Sequence, residues 1–431
     1  MALISHAYED SVPARDSKVS TDFAVVINEN DFGGLPTGNR LAFQLGEQLA
    51  PAIQRKRVYK PEQLFFIMKI DSFINDTVSY LVADEKKRSF ASKKLSKLKI
   101  EFPKGIRAIQ EGAFSFSVEK AVLNESISGV DSGFVSKRLA NLEMVFIRTV
   151  GTVFNYENGK LKNCDYYPDY YHFPEPKISN GGLDADEMTC STSLIRLVDE
   201  VKTAEETIKK FKPKFAFLDG SIIPQYADKP RKDSKVHKFY RGVINEFQEL
   251  YEIAEKNNCC LIGCVEDSRG SRIREILQKE VLPKTDIIKP EFLDDMLDSM
   301  LLDSTLDLGE RSFAFPYTSG VKEHPILMDY NDKWANNIYV FYIKAAELDR
   351  PLRVEFLKSK SEGLTEKTEK VASVVYGLSS MHREYAYPSV LIEADLRARL
   401  RPEEIDTVYN KIMDRLSVNT RLTMRRSNRP F

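Results

Sequence analysis

The stretch "KFAFLDGSIIP", Lys214 to Pro224, decides the interpretation of the fold, because a strand suited to a protein interior ends abruptly in a carboxylate. The apolar residues 215–218 precede Asp219, and a glycine and a serine follow it. In an alternating α/β sheet, binding and catalytic sites form outside the carboxyl ends of the strands. Asp219 is therefore a candidate site residue.

The segments on both sides of this strand alternate between helix and strand patterns. Apolar residues at three- and four-residue spacing predict a helix over 191–211, and another helix is predicted near 236–257. The apolar strand "CCLIGCVED" follows, and then a helix after "SRGS". Continuous apolar strands alternating with amphipathic helices predict a parallel sheet that is covered on both faces. Further strands are predicted at "ESISGVDSGF", around the turn at 157–159, and at "SFAF", "NIYVFYIKAA" and "RPLRVEFL", with helices near 365–381, 388–400 and 402–417.

Composition sets broad limits on the function. The chain has 431 residues, 42% hydrophobic and 29% charged, which suffices for two domains or one large domain with an appended region. The formal net charge is −1, so any polyanionic partner must meet a local basic surface. Five cysteines, three of them in "CCLIGC", predict free thiols in a reducing compartment. No apolar run is long enough to span a membrane and the N-terminus does not resemble a secretory signal, so we expect a cytoplasmic protein without membrane contact.

Two further acids stand in contexts that resemble Asp219. Asp131 ends a strand in "SGVDSGF", which parallels "FLDGSII". In each case small residues follow, which let the backbone turn sharply and leave space beside the carboxylate. Glu200 lies at the border of the apolar stripe of the 191–211 helix, which directly precedes the Asp219 strand and is expected to pack beside it.

Three converging carboxylates would need compensation. Two unit charges ~4 Å apart repel by about 4 kcal/mol at an effective dielectric near 20, so the acids either share protons or surround a cation. Hard divalent ions such as Mg²⁺ or Mn²⁺ prefer oxygen ligands. The alternative is that Asp219 only forms a turn and that Glu200 is one of several solvated helix acids, beside Asp199, Glu205 and Glu206.

Six segments in this order resemble the NurA family of archaeal and bacterial DNA-repair nucleases: "GVDSGFV", "RLVDEVKTA", "FAFLDGSII", "LIGCVEDSRGSRI", "LDSMLLDSTLDLGERSFAF" and "YAYPSVLIEADLRARL". The resemblance covers about residues 120–400, which we take as a NurA-like nuclease domain. Residues 1–115 would form a mostly helical N-terminal region without an assigned role. Residues 401–431 would form a C-terminal helix and a basic tail.

The resemblance implies an α/β fold with an RNase H-like mixed sheet flanked by helices. It also implies a Mn²⁺- or Mg²⁺-dependent DNA nuclease that forms a homodimer and works with the hexameric HerA ATPase in DNA end resection. Asp131, Glu200 and Asp219 would be the metal-binding, catalytic acids. Tyr387, in "YAYPSV", would position substrate or water.

The sequence departs from the family pattern at two positions. Asp395 stands where the family usually has a histidine, and although an aspartate can ligate metal, it cannot act as an imidazole. We keep Asp395 as a candidate catalytic residue. Glu266 stands where the family tends to have a lysine. The alternatives are therefore a catalytically degenerate NurA-like protein that docks on the ATPase and holds DNA, and a nuclease acting on RNA or flaps.

Arginines in two of the matching segments are candidates for DNA contact. These are Arg269 and Arg272 in "SRGSRI" and Arg311 in "GERS", although solvated surface positions are the default for such residues. The C-terminal "RLTMRRSNRP" carries four arginines in ten residues and predicts a basic tail that could contact DNA or an acidic partner.

Overall fold

The computed structural model describes residues 61–139, 142–179, 182–359 and 361–416. Residues 1–60 of the predicted N-terminal region and the basic tail lie outside the described residues. The chain divides between Lys86 and Lys87 into two compact units, and each is considered by itself. In the described part of the first unit, residues 61–86 are helical.

The helices and strands have the following bounds. The helices are α1 (Pro61–Leu95), α2 (Ala185–Phe211), α3 (His237–Lys256), α4 (Arg272–Ile276), α5 (Asp298–Asp303), α6 (Asp332–Ala335), α7 (Leu364–Ser379), α8 (Ser389–Ala398) and α9 (Pro402–Arg415). The strands are β1 (Ser115–Ser117), β2 (Ser126–Arg138), β3 (Glu143–Glu157), β4 (Lys160–Tyr167), β5 (Glu175–Ser179), β6 (Phe215–Asp219), β7 (Cys260–Val265), β8 (Glu310–Ser312), β9 (Phe315–Pro316), β10 (Ile338–Ile343) and β11 (Leu352–Leu357).

The described strands form one mixed sheet in the order β1-β8-β10-β11-β7-β6-β2-β3-β4, with β5 on β3 and β9 on β10. Only β2, β6 and β7 pair in parallel, and every other pair is antiparallel. The parallel sheet core predicted from the helix–strand alternation around Asp219 is confirmed for β2, β6 and β7, and antiparallel strands extend the sheet on both sides of it. The mixed sheet flanked by helices is confirmed, and the order β4-β3-β2-β6-β7 is that of an RNase H-like core.

Helix α2 begins earlier than its apolar stripe predicted, at Ala185 instead of residue 191. Asp184 and Glu187 form a capping box, in which each side chain accepts a hydrogen bond from the other residue's backbone N–H. The helix ends at Phe211, where Lys212 adopts a left-handed conformation. The predicted stripe is buried between these ends, with Leu194, Leu197, Val201, Ala204 and Ile208 in the core.

The two faces of the sheet bury separate apolar clusters. One cluster joins the sheet to α2 and α3, and the other joins it to α7 and α8. Helix α8 lies very close to β2, because a Cβ atom at Gly129 would lie 2.9 Å from the Val390 carbonyl oxygen. At Gly133 a Cβ atom would lie 2.3 Å from the Ala398 carbonyl oxygen. These glycines thus set the depth at which α8 sits on the sheet.

Residues 87–115 pack within the second unit. The Ser92 hydroxyl donates a hydrogen bond to the Leu301 carbonyl at 2.9 Å, and Phe114 is fully buried. Strand β5, which the sequence analysis did not predict, pairs with β3 although its mostly exposed residues carry little apolar signal. All five cysteines are free, as predicted. Among the described helices, none has the length and apolar character needed to cross a bilayer.

Candidate active site

Asp131 and Asp219 lie side by side on β2 and β6, two neighbouring strands in the middle of the sheet. The parallel register pairs Val130 of β2 with Leu218 of β6, so the next residue on each strand is an aspartate. Because side chains alternate along a strand, both aspartates belong to the face that carries α7 and α8. Asp131 is only 6% exposed, whereas Asp219 is exposed at the tip of β6. Asp219 ends its strand as predicted, but the prediction that Asp131 ends a strand is wrong, because β2 continues to Arg138. The two acids are nevertheless neighbours across the parallel pair.

The Asp131 carboxyl group has a raised pKa. Burial, and then the charges of Asp219 and Glu200, raise its pKa to about 8. The Ser132 backbone N–H, which donates to Asp131 Oδ1 at 2.6 Å, only partly opposes this shift. A carboxyl group with these neighbours holds a proton near neutral pH unless a cation replaces that proton.

Glu200 reaches the same site from helix α2. It is 9% exposed, and its Oε1 accepts hydrogen bonds from the Ser132 hydroxyl and the Arg196 guanidinium. Burial raises the pKa of Glu200, while the charge of Arg196 and the bond from Ser132 lower it and the charge of Asp219 raises it. Ser132 therefore links the second acid of the site to the strand that carries the first.

The three acids are grouped less tightly than the sequence predicted. In the part of the chain that the structure describes, one set of three acidic, histidine or cysteine residues has ligand atoms that all lie within 4.8 Å of one another. That set does not include Asp131, Glu200 or Asp219. Glu200 comes from α2, which packs on the face of the sheet opposite to that of the two aspartates. Arg196, one helical turn before Glu200, forms an ion pair with it. Its spacing of four residues on a predicted helix was the signal that could have revealed this partner.

Tyr387 contacts Asp219, a partner that the sequence analysis did not assign to it. Its hydroxyl donates a hydrogen bond to Asp219 Oδ1 and lies 3.1 Å from the Cys264 carbonyl oxygen, at the end of the neighbouring strand β7. The side chain is 6% exposed, and burial followed by the charge of Asp219 holds the pKa of this phenol well above its usual value. Tyr387 is thus a neutral donor that fixes the orientation of the Asp219 carboxylate.

Tyr385 is a neighbour of the site that the sequence analysis missed. Its ring lies 5.8 Å, centroid to centroid, from that of Tyr387, and part of it is exposed. Burial and a hydrogen bond to Glu266 raise its pKa, with smaller contributions from Asp219 and Asp395. Glu266 and Asp395, the two residues that depart from the family pattern, therefore lie near Tyr385. Asp395 itself is exposed on α8, and its carboxylate forms no ion pair with any described residue.

The three candidate DNA-contact arginines have different environments. Arg269 is exposed, and Arg272 forms an ion pair with Glu275 at 3.2 Å. Arg311 is fully buried, with Nη1 and Nη2 held by Glu111 at 3.0 and 2.8 Å. The interpretation of Arg311 as a DNA contact is therefore wrong, because its guanidinium has no access to solvent. It is part of the core, which a single sequence cannot reveal for an arginine.

The donor chemistry of the three acids suits a hard divalent cation. Asp131, Glu200 and Asp219 supply carboxylate oxygens, and no thiol or imidazole of the described residues forms a hydrogen bond with them. A cation would also relieve the repulsion that keeps Asp131 protonated. The residues present therefore fit Mg²⁺ or Mn²⁺.

The mixed sheet and its acidic residues define an α/β protein with an RNase H-like core and a carboxylate site where the central strands β2 and β6 lie side by side. Residues 125–400, more than half of the chain, match the family model for the NurA domain. The chain belongs to the NurA family of nucleases. No curated protein matched the sequence.

Solved structures with similar folds include two NurA proteins. The NurA nuclease from Sulfolobus solfataricus is 15% identical over 84% of this chain and 99% of its own, with a TM-score of 0.45. A structure of NurA with manganese is 10% identical over 80% and 98% of the two chains, with a TM-score of 0.43. Endonuclease V from Ciona intestinalis, in complex with DNA, is 13% identical over 75% and 97%, with a TM-score of 0.29. The family assignment rests on the family model.

Proposed function

We propose that this protein is a Mn²⁺- or Mg²⁺-dependent deoxyribonuclease that hydrolyses phosphodiester bonds at the carboxylate site of its sheet. The observation that carries the proposal is the adjacency of Asp131 and Asp219, set by the parallel register of β2 and β6. A divalent ion held by such acids neutralises phosphate charge and lowers the pKa of a water molecule. Family membership supports nuclease chemistry, and the manganese named in a family structure supports the choice of ion.

Each residue of the site has a distinct task in this proposal. Asp131, Asp219 and Glu200 would hold the ion, although Glu200 is paired with Arg196 in this structure. Tyr387 keeps the Asp219 carboxylate in one orientation through its hydrogen bond. Arg269, which is exposed after β7, contacts the DNA backbone, and the protein recognises charge and shape instead of base sequence. Asp395, which is exposed on α8 near Tyr385, lies at the margin of the site and contacts the substrate.

A nuclease assay tests the proposal directly. Linear duplex DNA, single-stranded DNA and RNA are incubated with the protein in Mn²⁺, in Mg²⁺ and in EDTA. We expect cleavage of DNA that depends on the metal and disappears in the Asp219→Ala variant. Undiminished cleavage by this variant would contradict the proposal, and a preference for RNA would identify a different substrate.

We further propose the cellular context that the family resemblance implies. The protein would act as a cytoplasmic homodimer with a HerA-type hexameric ATPase that delivers DNA to the nuclease during end resection. Light scattering gives the oligomeric state, and the nuclease assay repeated with the ATPase and ATP gives the coupling. A monomer, or cleavage that the ATPase does not change, would contradict this part.

A second candidate function is a catalytically degenerate DNA-holding subunit. The observation that favours it is the ion pair between Arg196 and Glu200, which occupies one of the three proposed ligands. Asp395, in place of the family histidine, points in the same direction. A Mn²⁺ titration separates the two, because the degenerate protein would show no Mn²⁺ binding that depends on Asp131 and Asp219.

A further inference from the structure

A second group of acids lies on the far part of helix α2, away from the strand ends. Carboxylate oxygens of Glu205 on α2 and of Glu246 and Glu249 on α3 all lie within 4.8 Å of one another. The two helices pack against each other along this region. The proposed function does not use these residues, and nothing in the family resemblance assigns them a role.

Glu205 carries an unpartnered oxygen into this group. Its side chain is only 7% exposed, and its Oε1 is buried without a hydrogen-bond partner among the described residues. A buried carboxylate oxygen without a donor is costly, and native structures usually supply it with a partner, a water molecule or an ion. This observation is independent of the clustering, and it leaves an oxygen of Glu205 that can accept a cation.

The surrounding lysines do not supply that partner. Lys209 Nζ lies 3.6 Å from Glu205 Oε2, and Lys202 Nζ lies 3.7 Å from Glu246 Oε1. Both lysine side chains are about half exposed, and Glu249 has no ion pair within the described residues. The repulsion from Glu249 and Glu246 adds to burial in raising the pKa of Glu205 to about 7. Two exposed ammonium groups thus leave three clustered carboxylates incompletely neutralised.

We propose that Glu205, Glu246 and Glu249 form a structural binding site for a hard divalent cation that joins helices α2 and α3. The ligands are all carboxylates, which Mn²⁺, Mg²⁺ and Ca²⁺ prefer over softer metals. The ion would give the buried Glu205 oxygen its partner. It would also fix α2, the helix that carries Glu200, against α3.

The test uses the full chain with the proposed catalytic ligands removed. Mn²⁺ is titrated into the Asp131→Ala/Asp219→Ala variant, and free Mn²⁺ is followed by electron paramagnetic resonance. We expect one saturable Mn²⁺ equivalent to remain. Adding Glu249→Gln, a change at an exposed position that leaves the core intact, should weaken this binding at least tenfold. Glu206→Gln, an exposed glutamate of the same helix outside the group, should leave it unchanged.

Two results would overturn the proposal. One is the absence of saturable Mn²⁺ binding in the variant that lacks the catalytic acids. The other is binding that Glu249→Gln and Glu205→Gln both leave intact. A rise in thermal stability of Glu205→Gln without any Mn²⁺ effect would show that a proton, not a metal, occupies the group. None of these readouts depends on nuclease activity, so the outcome is separate from that of the proposed function.

Discussion

The buried carboxyl group of Asp131 should make the stability of the protein in EDTA depend on pH. Its pKa is raised to about 8 by burial and by the neighbouring acids, from an ordinary value of 3.8. Between those values the folded state holds a proton that the unfolded chain has released. The free energy of unfolding should therefore fall as the pH rises through this window, by up to about 1.4 kcal/mol per pH unit.

Urea unfolding in EDTA across this pH range measures the effect. The Asp131→Asn variant, which carries no charge at any pH, should show a flatter dependence than the wild type. Added Mn²⁺ should restore stability to the wild type at the alkaline end, because the cation replaces the proton. An equally steep dependence in Asp131→Asn would show that another group is responsible.

Tyr387 should affect turnover more than substrate binding. Tyr387→Phe removes the hydroxyl that holds Asp219 Oδ1 while it preserves the buried ring. The loss of one such hydrogen bond is worth about 1.4 kcal/mol, so we expect kcat of Mn²⁺-dependent DNA cleavage to fall about tenfold with KM little changed. The matched control is Tyr385→Phe, whose hydroxyl bonds Glu266 instead of Asp219. Equal kcat values for Tyr387→Phe and the wild type would contradict the assigned role.

The glycines of β2 that contact helix α8 should not tolerate a side chain. In Gly133→Ala the new Cβ would lie 2.3 Å from the Ala398 carbonyl oxygen, and backbone cannot rotate away as a side chain can. We expect a loss of about 1–3 kcal/mol in the free energy of unfolding. Gly242→Ala is the control, because nothing lies within 4 Å of its Cβ position in α3. Chemical denaturation measures both, and equal stabilities would contradict the close packing of α8.

The strands and helices near the site were largely predictable from sequence, whereas their partners were not. The apolar run before Asp219 and the stripe of α2 follow periodicities that single sequences carry. Strand β5 was missed because its residues are mostly exposed and include a proline, so the segment lacks the apolar pattern of a buried strand. Whether two strands run parallel depends on the connection between them, and for the outer strands that connection joins distant segments. The alternation of helices and strands near Asp219 therefore does not predict the direction of the outer strands.

Within the site, the acids were predictable but their hydrogen-bond partners were missed. Asp219 follows an apolar run, and both aspartates are followed by small residues, which are signals that the local sequence carries. The engagement of Glu200 by Arg196 and Ser132 depends on side-chain conformation within the packed structure. The burial of Arg311 against Glu111 joins residues 200 positions apart, so no local pattern could distinguish it from a surface arginine.

The buried ion pair between Arg311 and Glu111 should stabilise the second unit. Arg311→Ala leaves Glu111 buried without its partner, and breaking a buried pair in this way costs about 3–5 kcal/mol. We expect a large fall in the thermal midpoint and, in the protein that remains folded, unchanged affinity for DNA. Arg269→Ala, at an exposed position, should show the reverse pattern, with unchanged stability and weaker binding at low salt. Weaker DNA binding by folded Arg311→Ala would restore this arginine as a DNA contact.

Taken as one molecule, the protein depends on the mixed sheet to bring distant acids to one site. Crystals soaked in Mn²⁺ and measured at its absorption edge test this most directly, because anomalous difference density locates the ion without reference to activity. We predict a peak between the carboxylates of Asp131 and Asp219 that disappears in Asp219→Ala. Density confined to other parts of the protein at saturating Mn²⁺, with these two carboxylates free of metal, would contradict the account.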